Sequence, residues 1–348
     1  MREPNASRGE DVDETVAAAL LAEARDARQA MRRQEGATAM ERFERRYADI
    51  RGAMDWCLAH GRVGEADAFA SALVPFWMAT KRLDDGREWF ARALGEGATE
   101  EPTRARALYD HGYLVFWAGE YELADQRFSE ARRLAEQTGD RDLIALILAG
   151  SARVALDRDP ARAVALLREA MAITEDLPDS DGRSSADHVL GVALQMAGDL
   201  EGAGTVMRER IERARSVGNR FTVASESANL SMVERRLGHL DDAERLSTEA
   251  LQISRDNRDE IMIPWVINGL AAVTAAQGRL ERAATLLGIA DGLLERAGGS
   301  WPPDEREQYD EALGRVADGV SPETVATARA RGAEMLLDEA VGFALAGG

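Results

Sequence analysis

The sequence predicts an all-α fold, a right-handed superhelical solenoid of antiparallel helix pairs that repeats about every 40 residues. Three observations carry that prediction. A glycine, a polar residue and a large side chain recur as Gly119-Glu120-Tyr121, Gly198-Asp199-Leu200, Gly238-His239-Leu240 and Gly278-Arg279-Leu280. Five residues after each glycine stands an alanine, Ala124, Ala203, Ala243 and Ala283. Apolar residues then recur at helical spacing, as in Leu240, Ala243, Leu246, Ala250 and Leu251, without strand-like alternation.

The elements follow in order. Residues 1–14 are polar and acidic and are expected to be disordered. Residues 15–100 form N-terminal helical layers, with helices over Glu41–His60 and Val63–Thr80 that carry Phe43, Tyr47, Trp56, Phe69, Phe76 and Trp77. Residues 101–298 hold the clearest repeats. Glycine closes a first helix in a left-handed conformation, a short turn follows, and small alanines let the second helix approach closely. Ala163 keeps the ladder where Arg158 and Pro160 replace the expected residues, whereas Arg210 breaks the second series formed by Ala131, Ala170, Ala250 and Ala290. Backward extension through Lys81, Leu83, Gly86 and Ala93 makes six tandem units. Pro102, Pro160, Pro302 and Pro322 mark helix starts, Pro264 fits a first turn, and Pro75 lies inside an apolar helix that it is expected to kink. Residues 299–348 read as a loop and two short capping helices, the last opening at Ser321-Pro322-Glu323. Since one helix pair cannot bury its apolar faces alone, the repeats are expected to stack into one elongated domain.

Composition limits the function. The 348 residues carry a formal net charge of -19 and only 5% aromatic residues. Such a charge opposes binding to nucleic-acid backbones and anionic membranes, so neither is expected as a direct partner. No apolar run reaches the roughly 20 residues of a membrane span. Cys57 is the only cysteine and cannot form an intramolecular disulfide, and no signal-peptide pattern is visible, so a cytoplasmic location is expected. Asn5-Ala6-Ser7 is then a chance glycosylation match. Lys81, the only lysine, lies outside any Gly-Lys-Ser/Thr motif, which excludes a Walker-type nucleotide site. His60, His111, His188 and His239 are scattered without ligand spacing, and Asp179-Ser180-Asp181-Gly182 lacks the flanking ligands of a calcium loop. No metal, cofactor or catalytic residue is therefore expected, and Cys57 beside Trp56 reads as core.

The small residue, glycine and alanine pattern of Gly112, Gly119, Ala124 and Ala131, repeated in Gly191, Gly198 and Ala203, resembles the tetratricopeptide repeat. The longer period resembles the C-terminal repeat region of bacterial LuxR-type, signal-transduction ATPase and actinobacterial antibiotic-regulatory transcription regulators. Arg42 through Trp56 resembles the first helix of that region, and Leu286-Leu287-Gly288 with Trp301-Pro302-Pro303, Glu305 and Arg306 resembles its last part. The resemblance implies a protein partner or a small effector held within the repeats. Neither an ATPase core nor a basic helix-turn-helix is recognisable in these residues, so nucleotide switching is not carried over.

Equivalent first-helix positions are expected to face a concave groove. They nominate Arg106, Tyr109, Tyr113, Trp117, His188, Met232, Arg236, Trp265 and Asn268 as binding residues. Tyr109, Tyr113 and Trp117 form one stripe, either an aromatic floor or ordinary interhelical packing. Arg235 and Arg236 end a first helix, where they either grip a carboxylate or complement the helix dipole. Asp84-Asp85 and Asp241-Asp242 sit at equivalent helix starts and read as capping acids. The expected function is a protein-interaction module of a bacterial regulatory pathway. The alternatives are a small-molecule sensor of a transcription regulator and a helical-scaffold enzyme of specialised metabolism.

Overall fold

The computed structural model describes residues 12–31, 36–80, 82–95, 101–156, 158–177, 180–257, 259, 262–296, 301 and 303–346. Asn5, Lys81, Asp179 and Pro302, and most of the segment expected to be disordered, lie outside the described residues. Among the described residues there are 17 α-helices and no strand. They form two compact units, Met1–Val189 and Leu190–Gly348, with the division inside one helix.

The first unit contains α1 (Glu14–Met31), α2 (Gly36–Ala59), α3 (Val63–Ala79), α4 (Leu83–Gly95), α5 (Glu101–Trp117), α6 (Tyr121–Thr138), α7 (Arg141–Ala155), α8 (Pro160–Ile173) and the start of α9 (Asp181–Met196). Gly119 ends the α5 turn at φ 83°, a conformation an L side chain rarely adopts. The small residue of the repeat has a direct steric reason. A Cβ at Gly112 would stand 2.8 Å from Phe128 Cε1, and one at Gly150 would stand 2.7 Å from Phe128 Cζ. The α6 ring is thus wedged between α5 and α7 and is itself only 1% exposed. Ala124, Ala131, Ala163 and Ala170 are completely buried. Asp140 and Asp159 cap α7 and α8 by accepting from the amides of Leu143 and Arg162, each cap contributing about 1 kcal/mol. Pro75 is contained within α3.

The second unit contains the rest of α9, then α10 (Leu200–Ser216), α11 (Arg220–Leu237), α12 (Leu240–Asp256), α13 (Met262–Ala276), α14 (Leu280–Arg296), α15 (Pro303–Gly319), α16 (Pro322–Glu334) and α17 (Leu337–Leu345). Gly198, Gly238 and Gly278 close their turns at φ 81°, 86° and 80°, so the recurring glycines perform the same backbone task. Ala203, Ala243, Ala250, Ala283 and Ala290 are completely buried. Arg210, the interruption in the alanine series, pairs at 2.5 Å with Glu226 of α11, whose side chain is 0% exposed. An ion pair there replaces the small residue that packing would otherwise require.

Three helices, not two, follow residue 299. Met335 and Leu336 take extended conformations that separate α16 from α17. α16 lies against α14 at backbone contact. A Cβ on Gly288 would collide with the Arg329 carbonyl, and one on Gly332 with the Thr285 carbonyl. Asp291 of α14 accepts from Tyr309 (2.5 Å), Arg329 (2.8 Å) and the Trp301 indole (3.3 Å), joining the chain end to the repeats.

Candidate functional site

In the first unit the first helix α3 packs against both α1 and α5. The Arg106 guanidinium lies 5.6 Å from the Tyr109 ring centroid. Tyr109 is 6.2 Å from Tyr113, and Tyr113 is 6.2 Å from Trp117. The four sequence-nominated residues of α5 are therefore one continuous contact series. Their exposure increases along it: Tyr109 is 7% exposed, Tyr113 is half-buried and Trp117 is 51% exposed. Burial pushes the Tyr109 hydroxyl well above the ordinary phenol range, so it stays protonated. Phe116, 5.4 Å from Trp117 and 5.6 Å from Tyr121, extends the aromatic surface around the turn.

Beneath Arg106 lies a polar anchor. Asp110, 2% exposed, accepts from Arg106 Nε at 2.9 Å and from both terminal nitrogens of Arg28 on α1, at 3.1 and 3.2 Å. Arg28 also donates to the Ser71 carbonyl of α3. Burial alone would raise the Asp110 carboxyl, but the Arg106 and Arg28 charges outweigh it and hold the group below the usual carboxylate range. Arg28, Ser71 and Arg106 also line a cleft of about 480 Å³, together with Arg25 and Gln29 of α1, Thr103 of α5 and Asp181 of α9. A second cleft of about 640 Å³ shares Arg25 and Thr103 and is lined further along by Leu21, Trp56 and Cys57.

The remaining nominated residues occupy other surroundings. His188 is half-buried on α9. In the second unit Met232 receives a contact from Gln195 Nε2 at 3.0 Å, and Arg236 is exposed at the end of α11. Its neighbour Arg235 reaches Glu311 of α15 at 3.0 Å, a partner the dipole reading did not anticipate. Asn268 is completely buried and donates to the backbone and side chain of Glu305, so α15 covers it. Trp265, half-buried one turn earlier, has no partner for its indole N–H among the described residues. Sequence reasoning missed Arg25, Arg28 and Asp110. The Arg106–Asp110 spacing of four is a visible helical pair, but Arg28 joins it only through tertiary structure. Among the described residues no group of three or more His, Cys, Asp or Glu is placed to hold a metal ion, and no helix is long and apolar enough to cross a membrane.

Comparison with known proteins adds two findings. The chain resembles a signal-transduction ATPase with a tetratricopeptide-repeat sensor from Pyrococcus horikoshii, with TM-score 0.58 and 12% identity, over 94% of this chain and 54% of that one. A Rap protein complexed with competence and sporulation factor superposes with TM-score 0.55 and 16% identity over 94% and 96% of the two chains. The fold is that of tetratricopeptide-like helical repeats. NprR in complex with its cognate peptide NprX shares it at TM-score 0.51 and 13% identity over 84% and 82%. In sequence, proteins that carry the name of HTH-type transcriptional regulators in Mycobacterium tuberculosis and Mycobacterium bovis, a role not established for them, are 27% identical over 225 residues, which is 62% of this chain. The chain spans 24% of the length of these relatives. No family model matches it.

Proposed function

We propose that this chain is a protein-interaction module of a bacterial regulatory pathway, and that it takes its partner on the first-helix face of the unit Met1–Val189. The observation that carries this reading is the contact series from Arg106 to Trp117, which ends in a half-exposed indole. A large aromatic side chain left in water is a binding anchor because covering it removes apolar area at little cost in side-chain entropy. The relation to regulators of the LuxR and signal-transduction ATPase type belongs to the same reading. The distant relatives named as transcriptional regulators and the repeat fold shared with a sensor region support it. With a net charge of -19, the partner is a protein or peptide and not a nucleic acid.

The test is affinity capture from the native cell with wild type and with a Tyr113→Ala, Trp117→Ala double variant. The reading expects one or more proteins to be retained by wild type and lost by the variant; equal capture overturns it. A small-effector reading has one observation in its favour, the 640 Å³ cleft beside Trp56 and Cys57, which matches the size of ligand pockets. A metabolite that raises thermal stability, with the gain abolished by Trp56→Ala, would establish it.

A further inference from the structure

Asp67 of α3 is completely buried, and neither of its oxygens accepts a hydrogen bond among the described residues. The cation that faces it, Arg104 in the first turn of α5, stands 3.7 Å away, beyond hydrogen-bonding distance. Arg104 directs its donors elsewhere. Nη1 donates to the Ala93 carbonyl at 3.3 Å and Nη2 to the Leu94 carbonyl, both at the C-terminal end of α4. The last carbonyls of a helix have no intrahelical donor, and the dipole there attracts a cation. One guanidinium therefore lies within reach of two acceptors, the end of α4 and the carboxyl group of α3.

The proton on Asp67 decides between them. A helix end carries about half an elementary charge, whereas an ionised carboxylate carries a full one, and in an apolar interior its desolvation must be offset by a hydrogen-bonded cation. A protonated Asp67 makes no such demand, and Arg104 on α4 is the arrangement that suits it. A movement of about 0.9 Å would bring Nη1 to the distance of about 2.8 Å typical of a charged hydrogen bond. Of the other helices packed on α3, α1 sends Arg28 to the Ser71 carbonyl, where it is also held by Asp110, and α2 and α4 present no charged group to Asp67 among the described residues. Glu65 of α3 is paired with Arg62, and Arg106 of α5 with Asp110. Burial, with Arg127 and Arg87 nearby, pushes the His111 imidazole of α5 down to about 3, so it stays neutral where Asp67, which burial pushes up to about 6, changes charge.

We propose that Arg104 is a proton-controlled latch between repeats, holding the end of α4 while Asp67 keeps its proton and transferring to the Asp67 carboxylate when that proton leaves to solvent. The latch does not depend on what the α5 face binds. In one position the first turn of α5 is tied to the second helix of the preceding pair, and in the other to the first helix of that pair. Thr103, beside Arg104, lines both clefts, so the exchange acts on a wall that they share.

The experiment is carbon-13 NMR of the full, isotopically labelled chain from pH 5 to pH 8, following the Asp67 side-chain carboxyl and the backbone carbonyls of Ala93 and Leu94. The proposal expects all three signals to shift with one midpoint near pH 6. The two carbonyls move upfield as pH rises, because they lose the Arg104 donors. In Asp67→Asn, which keeps the shape of the side chain, the carbonyls are expected not to shift over this range. In Arg104→Gln they are expected to stay flat while Asp67 titrates at a higher pH, since the cation that favours its charged form is gone. A wild-type Asp67 titration that leaves Ala93 and Leu94 unmoved overturns the latch, as does an Asp67 signal that is constant from pH 5 to pH 8. Carbonyl shifts that persist in Asp67→Asn belong to another group and overturn it equally. The first two outcomes are read from wild type alone, so the test stands even where a variant fails to fold.

Discussion

Arg28 and Asp110 meet through two hydrogen bonds of 3.1 and 3.2 Å that tie the first described helix to the helix carrying the aromatic stripe. Asp110 is 2% exposed, so removing its partner leaves a buried charge short of compensation. Arg28→Ala is expected to destabilise the first unit by about 3 kcal/mol, in the range for breaking a buried pair. The Asp110 carboxyl is held below its ordinary range, so its stabilisation is complete above the unfolded carboxylate pKa of about 4 and disappears as pH falls below that value. Urea unfolding at pH 7 and pH 3 checks both signs. The difference between wild type and Arg28→Ala should be smaller at the lower pH.

Asp67 behaves in the opposite sense. It is completely buried on α3, its nearest cation is Arg104 at 3.7 Å, and burial pushes its carboxyl up to about 6. The folded chain therefore holds this proton more tightly than the unfolded chain, and stability falls as pH rises from about 4 to about 6. Asp67→Asn is expected to add about 1–3 kcal/mol at pH 7.5 and almost nothing at pH 4, because only the ionised form bears the desolvation cost. Thermal melts of the two proteins across this pH range decide it.

Contact between α14 and α16 depends on the absence of side chains. Gly288→Ala or Gly332→Ala places a methyl group against a carbonyl of the facing helix. Each is expected to cost about 2–4 kcal/mol, since backbone offers no rotamer to yield. Gly314→Ala, with open space around the added atom, is the control. It should be neutral or slightly stabilising in the same denaturation series.

Cys57 is 1% exposed, and burial pushes its thiol up to about 11. At pH 8 it is almost entirely protonated and shielded. A disulfide-exchange reagent is expected to label it slowly in the native protein and rapidly in denaturant. Fast native labelling would contradict the core role read from its place beside Trp56.

The repeats were legible because their signals are local. A glycine at positive φ with an alanine five residues later needs no knowledge of the remaining chain, and Gly119, Gly198, Gly238 and Gly278 all take that conformation. Gly112 was recognisable as a small residue, although the Phe128 ring that requires it was not. Arg210 was visible only as an exception, since the rule gives no hint that Glu226 waits on the next helix. The site was legible in part. Periodicity places Tyr109, Tyr113 and Trp117 on one stripe, but Arg28 joins Asp110 across 82 residues, a separation that no helical pattern encodes. Asn268 shares a first-helix position with Tyr109, yet α15 covers it. The break at Met335 and Leu336 carries neither proline nor glycine, so α16 and α17 read as one helix.

The central claim is that the first-helix face of the unit Met1–Val189 holds the partner. Amide hydrogen exchange of the full chain, with and without the captured partner, tests it most directly. The account predicts slowed exchange in α5 around Tyr113 and Trp117 and in the facing part of α3, with α6 and α8 unchanged. Protection confined to α6 and α8, or to the second unit, would contradict it.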